Sequence, residues 1–368
     1  METKLWNLKK NEPLAPQLKE AAALLAGGEV VAFPTETVYG LGADGLNPDA
    51  CRKIFAAKGR PADNPLILHI CEMDQILQLT SGLTPLAKKL MEAFWPGPMT
   101  LIVHKSDRIP DVVTAGLDTV AVRFPVHTVA RELIRQAGTP IAAPSANKSG
   151  KPSPTNAADV LQDMDGIIAG VVDGGACDIG VESTIIDTTG PEAVILRPGG
   201  ITLEMVSKVL GSVKLDPGLV KKDETPRAPG MKYRHYAPKA PMVLIEGPEA
   251  SLGVIRAAVM AEASGLRTGV LALAGTVDHL PRSPRLIVHN GGSTLEELAE
   301  NLFRELRLFD REQVDTIIGE GVDDTDLGLA IMNRMRKSAG HNILWAENGL
   351  LRRKSGHVPD YLKDFVVQ

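Results

Sequence analysis

Apolar residues in this chain repeat with two periods, and the periods alternate along its length. Leu14 to Ala26 carries leucines and alanines at helical spacing and stops at Gly27-Gly28, a helix end. Glu29 to Phe33 (EVVAF) is a short β-branched run, and Leu66 to Ile70, Thr100 to Val103, Thr119 to Phe124 and Ser183 to Asp187 read the same way. Between them Pro48 to Ala57, Pro85 to Trp95 and Thr128 to Ala137 read as helices. Asn47-Pro48 gives the first of these a cap and an N1 proline. Strands mixed with helices predict an α/β layer fold over residues 1–210 with at least one buried sheet.

The alternation breaks between Gly211 and Pro241. That stretch, GSVKLDPGLVKKDETPRAPGMKYRHYAPKAP, has dense charge, repeated proline and hardly any apolar periodicity, so it is a linker by composition. A segment of this length either joins domains or lies over a site. After it the pattern restarts. Met242 to Glu246, Thr268 to Leu273, Arg285 to Val288 and Val314 to Ile318 are strand candidates. Ser251 to Glu262, Thr294 to Phe309 and Thr325 to Lys337 are helix candidates. βαβ-like units over residues 242–345 predict a small doubly wound domain, with 346–368 as a C-terminal extension.

Composition narrows the function classes. At 368 residues the chain is long enough for two domains with cores of their own. Aromatics make up only 4%, which disfavours a base-stacking platform for single-stranded nucleic acid. A net charge of −5 gives no overall pull toward nucleic acid or anionic membrane, though a local basic cleft remains open. Cys51, Cys71 and Cys177 are too far apart for a CxxC pair or a disulfide framework, and no apolar leader or membrane span is evident. A cytoplasmic protein with no membrane association is expected.

Two motifs point to nucleotides and lack the right frame. Gly40-Leu41-Gly42-Ala43-Asp44-Gly45 matches G-x-G-x-x-G, the basis of a dinucleotide oxidoreductase reading. PTETVY separates it from the preceding strand, however, and the helix begins only after the last glycine. Ser145 to Lys151 resembles a P-loop but has Ser145 where glycine is needed and Pro152 where Ser or Thr is needed.

The segment Lys58-Gly59-Arg60-Pro61-Ala62-Asp63-Asn64-Pro65 offers a point charge, a planar fork and an amide between a helix and a strand. Such a loop suits a polyphosphate, and it equally suits a solvated helix end. Arg123 in TVAVRFP and Arg197 in AVILRPGG each end an apolar strand. Each therefore needs either a salt-bridge partner or a polar cleft. His69 sits inside LILHI, where a satisfied core histidine is the plain alternative to a ligand. Thr35-Glu36-Thr37, Ala142 to Asn147, Ser153 and Glu182-Ser183-Thr184 put small polar residues after or before strands, which suits either ordinary turns or a site approached by backbone. The sequence has no HExxH, no clustered Cys/His spacing and no G-x-S-x-G elbow.

Taken in order, PTETVYGLG (34–42), KGRPADNPL (58–66), TVAVRFP (119–125), APSAN (143–147), ESTIID (182–187) and LRPG (196–199) resemble the YrdC-type domain of L-threonylcarbamoyladenylate synthases. PGMKYRHYAP (229–238) and the domain after it resemble the two-domain form of that family. The resemblance implies a twisted mixed sheet with helices, followed by a linker and a smaller Rossmann-like α/β domain. It implies synthesis of L-threonylcarbamoyl-AMP from L-threonine, bicarbonate or CO2 and ATP, with Mg2+ carried by the ATP and no tightly bound organic cofactor. A downstream tRNA threonylcarbamoyl transferase is the implied partner.

Carried over motif by motif, Thr37, His69, Arg123, Ala143 and Ser183 would surround L-threonine. Lys58, Arg60, Asn64, Thr119, Ser145, Asn147, Ser153 and Arg197 would hold ATP, with Lys58, Arg60 and Arg197 neutralising charge at phosphorus. Tyr233 in the linker would close over the nucleotide, with residues Ala228 to Pro238 forming a lid. The rivals from other classes are a non-catalytic RNA-binding module and the dinucleotide-dependent oxidoreductase.

Overall fold

The structure, a computed structural model, describes residues 2–217 and 235–367. Tyr233 and most of the expected lid lie outside them. The described residues form two compact units. The first comprises the residues up to Ser149 and the run beginning at Ser153; the second comprises Gly150–Pro152 and the run that ends the chain.

The first unit is built on one long mixed sheet. Its early strands are β1 (Lys4–Asn7), β2 (Val31–Phe33), β3 (Gly40–Asp44), β4 (Ile67–His69), β5 (Thr80–Gly82) and β6 (Met99–Lys105). The later ones are β7 (Thr119–Arg123), β8 (Ile141–Ala142), β9 (Gly170–Asp173), β10 (Thr184–Asp187), β11 (Val194–Arg197) and β12 (Lys214–Leu215). Their order is β1-β9-β2-β3-β8-β4-β7-β6-β10-β11-β12, with β5 paired to β6. The helices Leu14–Ala26 and Thr128–Ala137 follow the predicted limits, and Pro48–Lys58 and Pro85–Phe94 differ from them by one residue. Asn47 caps its helix by accepting from the Asp49 and Ala50 amides.

The G-x-G-x-x-G segment is not a phosphate loop. Residues Gly40–Asp44 are β3, antiparallel to β2. A Cβ at Gly42 would lie 2.7 Å from the Phe33 ring and 2.9 Å from Ile141, so the glycine makes room for side chains packed on the sheet. The apparent motif is therefore explained by packing. Strands β1 and β9 were not predicted either; both are short and lie toward one edge, where periodicity has little length in which to show.

Alternate positions along the strands bury different faces. Val120 and Val122 of β7 point into a large core with Ile54, Leu68, Leu101 and Ile186. Ala121 points the other way, into a small patch with Ile67, Ile102, Ile185 and Leu196. That second face carries the candidate site.

The second unit has strands β13 (Met242–Glu246), β14 (Thr268–Ala272), β15 (Leu286–Asn290), β16 (Thr316–Glu320), β17 (Ile343–Glu347), β18 (Leu350–Ser355) and β19 (Val366–Val367). The order is β15-β14-β16-β13-β17-β18-β19, and the first five strands are parallel. Helix Ala250–Ala263 shares a core with Val243, Ile245, Val270 and Ile318 on one face. Phe309 and Met335, from the helices Leu295–Glu312 and Leu327–Ser338, meet Gly269 and Gly319 on the other. This is the doubly wound arrangement. The boundary expected at 345/346 falls inside β17, and the residues after it continue the same sheet through β18 and β19.

Candidate active site

One rung of the first sheet lines up the polar residues that the sequence scatters. His69 pairs with Arg123 and with Ile141; Arg123 pairs with Thr100, Thr100 with Ile185, and Ile185 with Arg197. Six strands thus bring three expected site residues to one level, although they are up to 128 positions apart in sequence. Thr37 and Ser183 reach the same level through side-chain contacts.

Arg123 is 4% exposed, and its guanidinium is divided between two partners. Nη1 donates to Thr37 Oγ1 at 2.9 Å, and Nη2 donates to Glu36 Oε1 at 2.7 Å. Arg197 turns inward from β11 and donates through Nε and Nη2 to the Ser183 carbonyl at 3.1 and 2.9 Å. Its Nη2 also reaches Ser183 Oγ at 3.2 Å, and that hydroxyl lies 2.8 Å from Thr100 Oγ1. Arg123, Thr100, Ser183 and Arg197 are therefore contiguous. The two strand-end arginines face one place.

His69 is buried beside this group, with Nδ1 3.2 Å from the Ile67 carbonyl and its ring edge-on to Phe33. Burial, with the Arg123 charge adding to it, pushes its pKa down to about 3, so the imidazole is neutral at ordinary pH. His127 is also shifted down, again chiefly by burial and against the pull of Glu36 and Asp178.

A second group gathers on the Lys58–Pro65 and Ala143–Asn147 loops. Lys58 closes its helix at Gly59, whose φ of 61° is left-handed. The Lys58 ammonium donates to the Ser145 carbonyl, and to that of Asn147 at 2.6 Å. Ser145 Oγ donates to Asn147 Oδ1 at 2.6 Å, and Gly40 bridges Ser145. Arg60 Nη2 donates to the Asn64 and Pro65 carbonyls at 3.5 and 3.2 Å. The Ala143 amide is taken up by the Ile67 carbonyl at 2.9 Å. Thr119 begins β7, four residues from Arg123, which at strand rise is about 13 Å. The expected nucleotide residues other than Arg197 and Ser153 thus sit toward the other end of the strands from Arg123.

Ser153 donates to Glu182 Oε1 at 2.6 Å, a buried carboxylate partner that the sequence reading did not weigh. Glu36 stood only within a polar triplet after a strand, with no role of its own, and Thr100 was missed. For Glu36 the chain carried a signal: it is the only charged residue from Val30 to Ala43, a stretch that the structure buries throughout. A carboxylate in so apolar a run needs a cation, and Arg123 provides it.

Comparison with known proteins adds decisive relatives. A family model described as "Telomere recombination" matches residues 23–199, and one described as "Threonylcarbamoyl-AMP synthase, C-terminal domain" matches residues 201–340. A threonylcarbamoyl-AMP synthase of Bacillus subtilis (strain 168) is 49% identical over 94% of this chain and 100% of its own length. The chain belongs to the threonylcarbamoyl-AMP synthase family. Another member, from Pyrococcus abyssi (strain GE5 / Orsay), is 48% identical over 89% of this chain and 95% of its own. The crystal structure of P. abyssi Sua5 complexed with L-threonine superposes with a TM-score of 0.88 at 45% identity, covering 94% of this chain and 100% of that one. The protein is thus an enzyme of the two-domain form of this synthase family.

Proposed function

We propose that this chain joins L-threonine, bicarbonate or CO2 and ATP into L-threonylcarbamoyl-AMP and releases pyrophosphate. This is the first step of N6-threonylcarbamoyladenosine formation at tRNA position 37. The observation that carries the reading is the buried rung of Arg123, Thr100, Ser183 and Arg197, which lies on the same sheet as the Lys58–Asn147 loop cluster.

In this reading Thr37, His69, Arg123, the Ala143 backbone and Ser183 hold threonine. Lys58, Arg60, Asn64, Thr119, Ser145, Asn147, Ser153, Arg197 and Tyr233 hold ATP, which arrives as its Mg2+ complex. The stretch of about 13 Å along β7 suits an amino acid placed beside a nucleotide. Lys58 and the hydroxyl and amide of Ser145 and Asn147 shape the phosphate loop, and Arg197 faces the point where the two substrates meet.

An N-carboxy-threonine oxygen attacks the α-phosphorus; a new P–O bond forms as the bond to pyrophosphate breaks. An already anionic carbamate needs no base for this step, so the catalytic demand is charge neutralisation and in-line placement. The product is a labile mixed anhydride, which a downstream tRNA threonylcarbamoyl transferase must take up before water does.

The test is pyrophosphate release from ATP with each component omitted in turn. Release that depends on both threonine and bicarbonate supports the reading. Release that ignores threonine, or requires RNA, overturns it.

A further inference from the structure

Arg123 and Glu36 are an ion pair with one unmatched atom on each side. The two side chains are 5% and 4% exposed, and their single contact is Nη2 to Oε1 at 2.7 Å. Arg123 Nε, a donor, and Glu36 Oε2, an acceptor, are both buried without a hydrogen-bond partner among the described residues. A carboxylate present only to neutralise an arginine ordinarily puts both oxygens on the guanidinium fork. Here the fork is divided between Glu36 and Thr37, which leaves one donor and one acceptor unused in a place where each unmet bond is costly.

The ligand that satisfies both atoms must present an acceptor and a donor together. The pair itself has no net charge, and a zwitterion matches both of its ends without adding any. An α-amino acid meets both conditions. We propose that Glu36 is a substrate-binding residue: its Oε2 accepts from the α-ammonium of the amino acid while the Arg123 Nε–H donates to the carboxylate. Glu36 then makes the site selective for α-amino acids over their 2-hydroxy counterparts. The inference rests on the threonine reading above and adds to it the group that recognises nitrogen.

The test is calorimetric titration of the full chain with L-threonine and with its analogue in which a hydroxyl replaces the α-ammonium, 2,3-dihydroxybutanoate. The unaltered protein is expected to prefer threonine by about tenfold or more, the scale of one charge-assisted hydrogen bond. Glu36→Gln keeps an oxygen for Arg123 and removes the charge. It is expected to bring the two affinities within about threefold of each other by weakening threonine, with ATP binding retained. If Glu36→Gln weakened both ligands equally, the residue would act only by holding Arg123, and the proposal would fail. An unaltered protein that bound the 2-hydroxy analogue as tightly as threonine would overturn it without any variant. Absence of threonine binding altogether would instead remove the function reading on which it stands.

Discussion

Each unit of the molecule buries a glutamate against an arginine, and the two pairs are satisfied to different degrees. In the second unit Glu246 accepts from Arg336 Nε at 2.8 Å on one oxygen, and from Arg336 Nη2 at 3.1 Å and Lys354 Nζ at 2.7 Å on the other. Arg336 completes its fork on Asp324. In the first unit Glu36 is just as buried, yet only one of its oxygens is used. The difference is in matching. A fully matched buried pair ties strands and helices together, whereas a half-matched pair gives up stability unless a ligand completes it. The lesson is to look for function where buried polar groups remain unmet.

The comparison breaks most sharply at Arg123. Arg123→Ala leaves Glu36 as a bare buried charge and removes the Nε–H proposed to meet the threonine carboxylate. Threonine-dependent turnover is expected to fall by a factor of about 100 to 1,000, with ATP affinity much less affected. Steady-state titration of each substrate reads this, and equal damage to both would contradict the placement of Arg123 at the threonine end. On the other side, Glu246→Ala is expected to cost about 2–3 kcal/mol of stability, because Arg336 and Lys354 lose a buried carboxylate while Arg336 keeps its pair with Asp324. Urea unfolding followed in the second unit measures it; a loss under about 1 kcal/mol would mean that the pair is merely a surface ion pair.

A third prediction concerns protons. The His69 pKa is pushed down to about 3 in the folded protein, so the unfolded chain binds a proton that the folded chain refuses once the pH drops below about 6.5. Its contribution to stability is fully present above that pH and is lost as the pH falls toward 3, at up to about 1.4 kcal/mol per pH unit. His127, shifted the same way, adds to the slope. Stability measured between pH 6.5 and 4.5 should fall less steeply in His69→Gln; an unchanged slope would place the proton uptake elsewhere. Glu246, held low by Arg336 and Lys354 despite its burial, begins to lose its contribution only as the pH drops below the ordinary glutamate value. The smallest effect is that of Thr100→Val, which removes the 2.8 Å contact to Ser183 Oγ. It is expected to cost about 1 kcal/mol, seen as a rise of about fivefold in KM for threonine with kcat little changed.

Much of this arrangement was legible in the chain. The long periodic segments gave helices and strands close to their limits, because each buries one stripe or one face, and Asn47 announced its helix through its own side chain. Arg123 and Arg197 stood out because an arginine closing an apolar strand demands a partner, and both point inward to one rung. The resemblance supplied the roles; the pattern alone left salt bridges as an equal reading. The partners of Glu36, Thr100 and Glu182 stayed hidden because those contacts span tens of positions. β3 was misleading for a related reason: its glycines yield space to Phe33 and Ile141 across the sheet, and a one-dimensional motif cannot register that crowding.

The most direct test of the account is carbon transfer from labelled bicarbonate. With the purified protein, ATP and L-threonine, the label should appear in a threonylcarbamoyl adenylate identified by mass, and Arg123→Ala should lower its yield by the same factor of about 100 to 1,000. ATP cleavage with no label in any adenylate would show that the buried arginine rung serves some other chemistry.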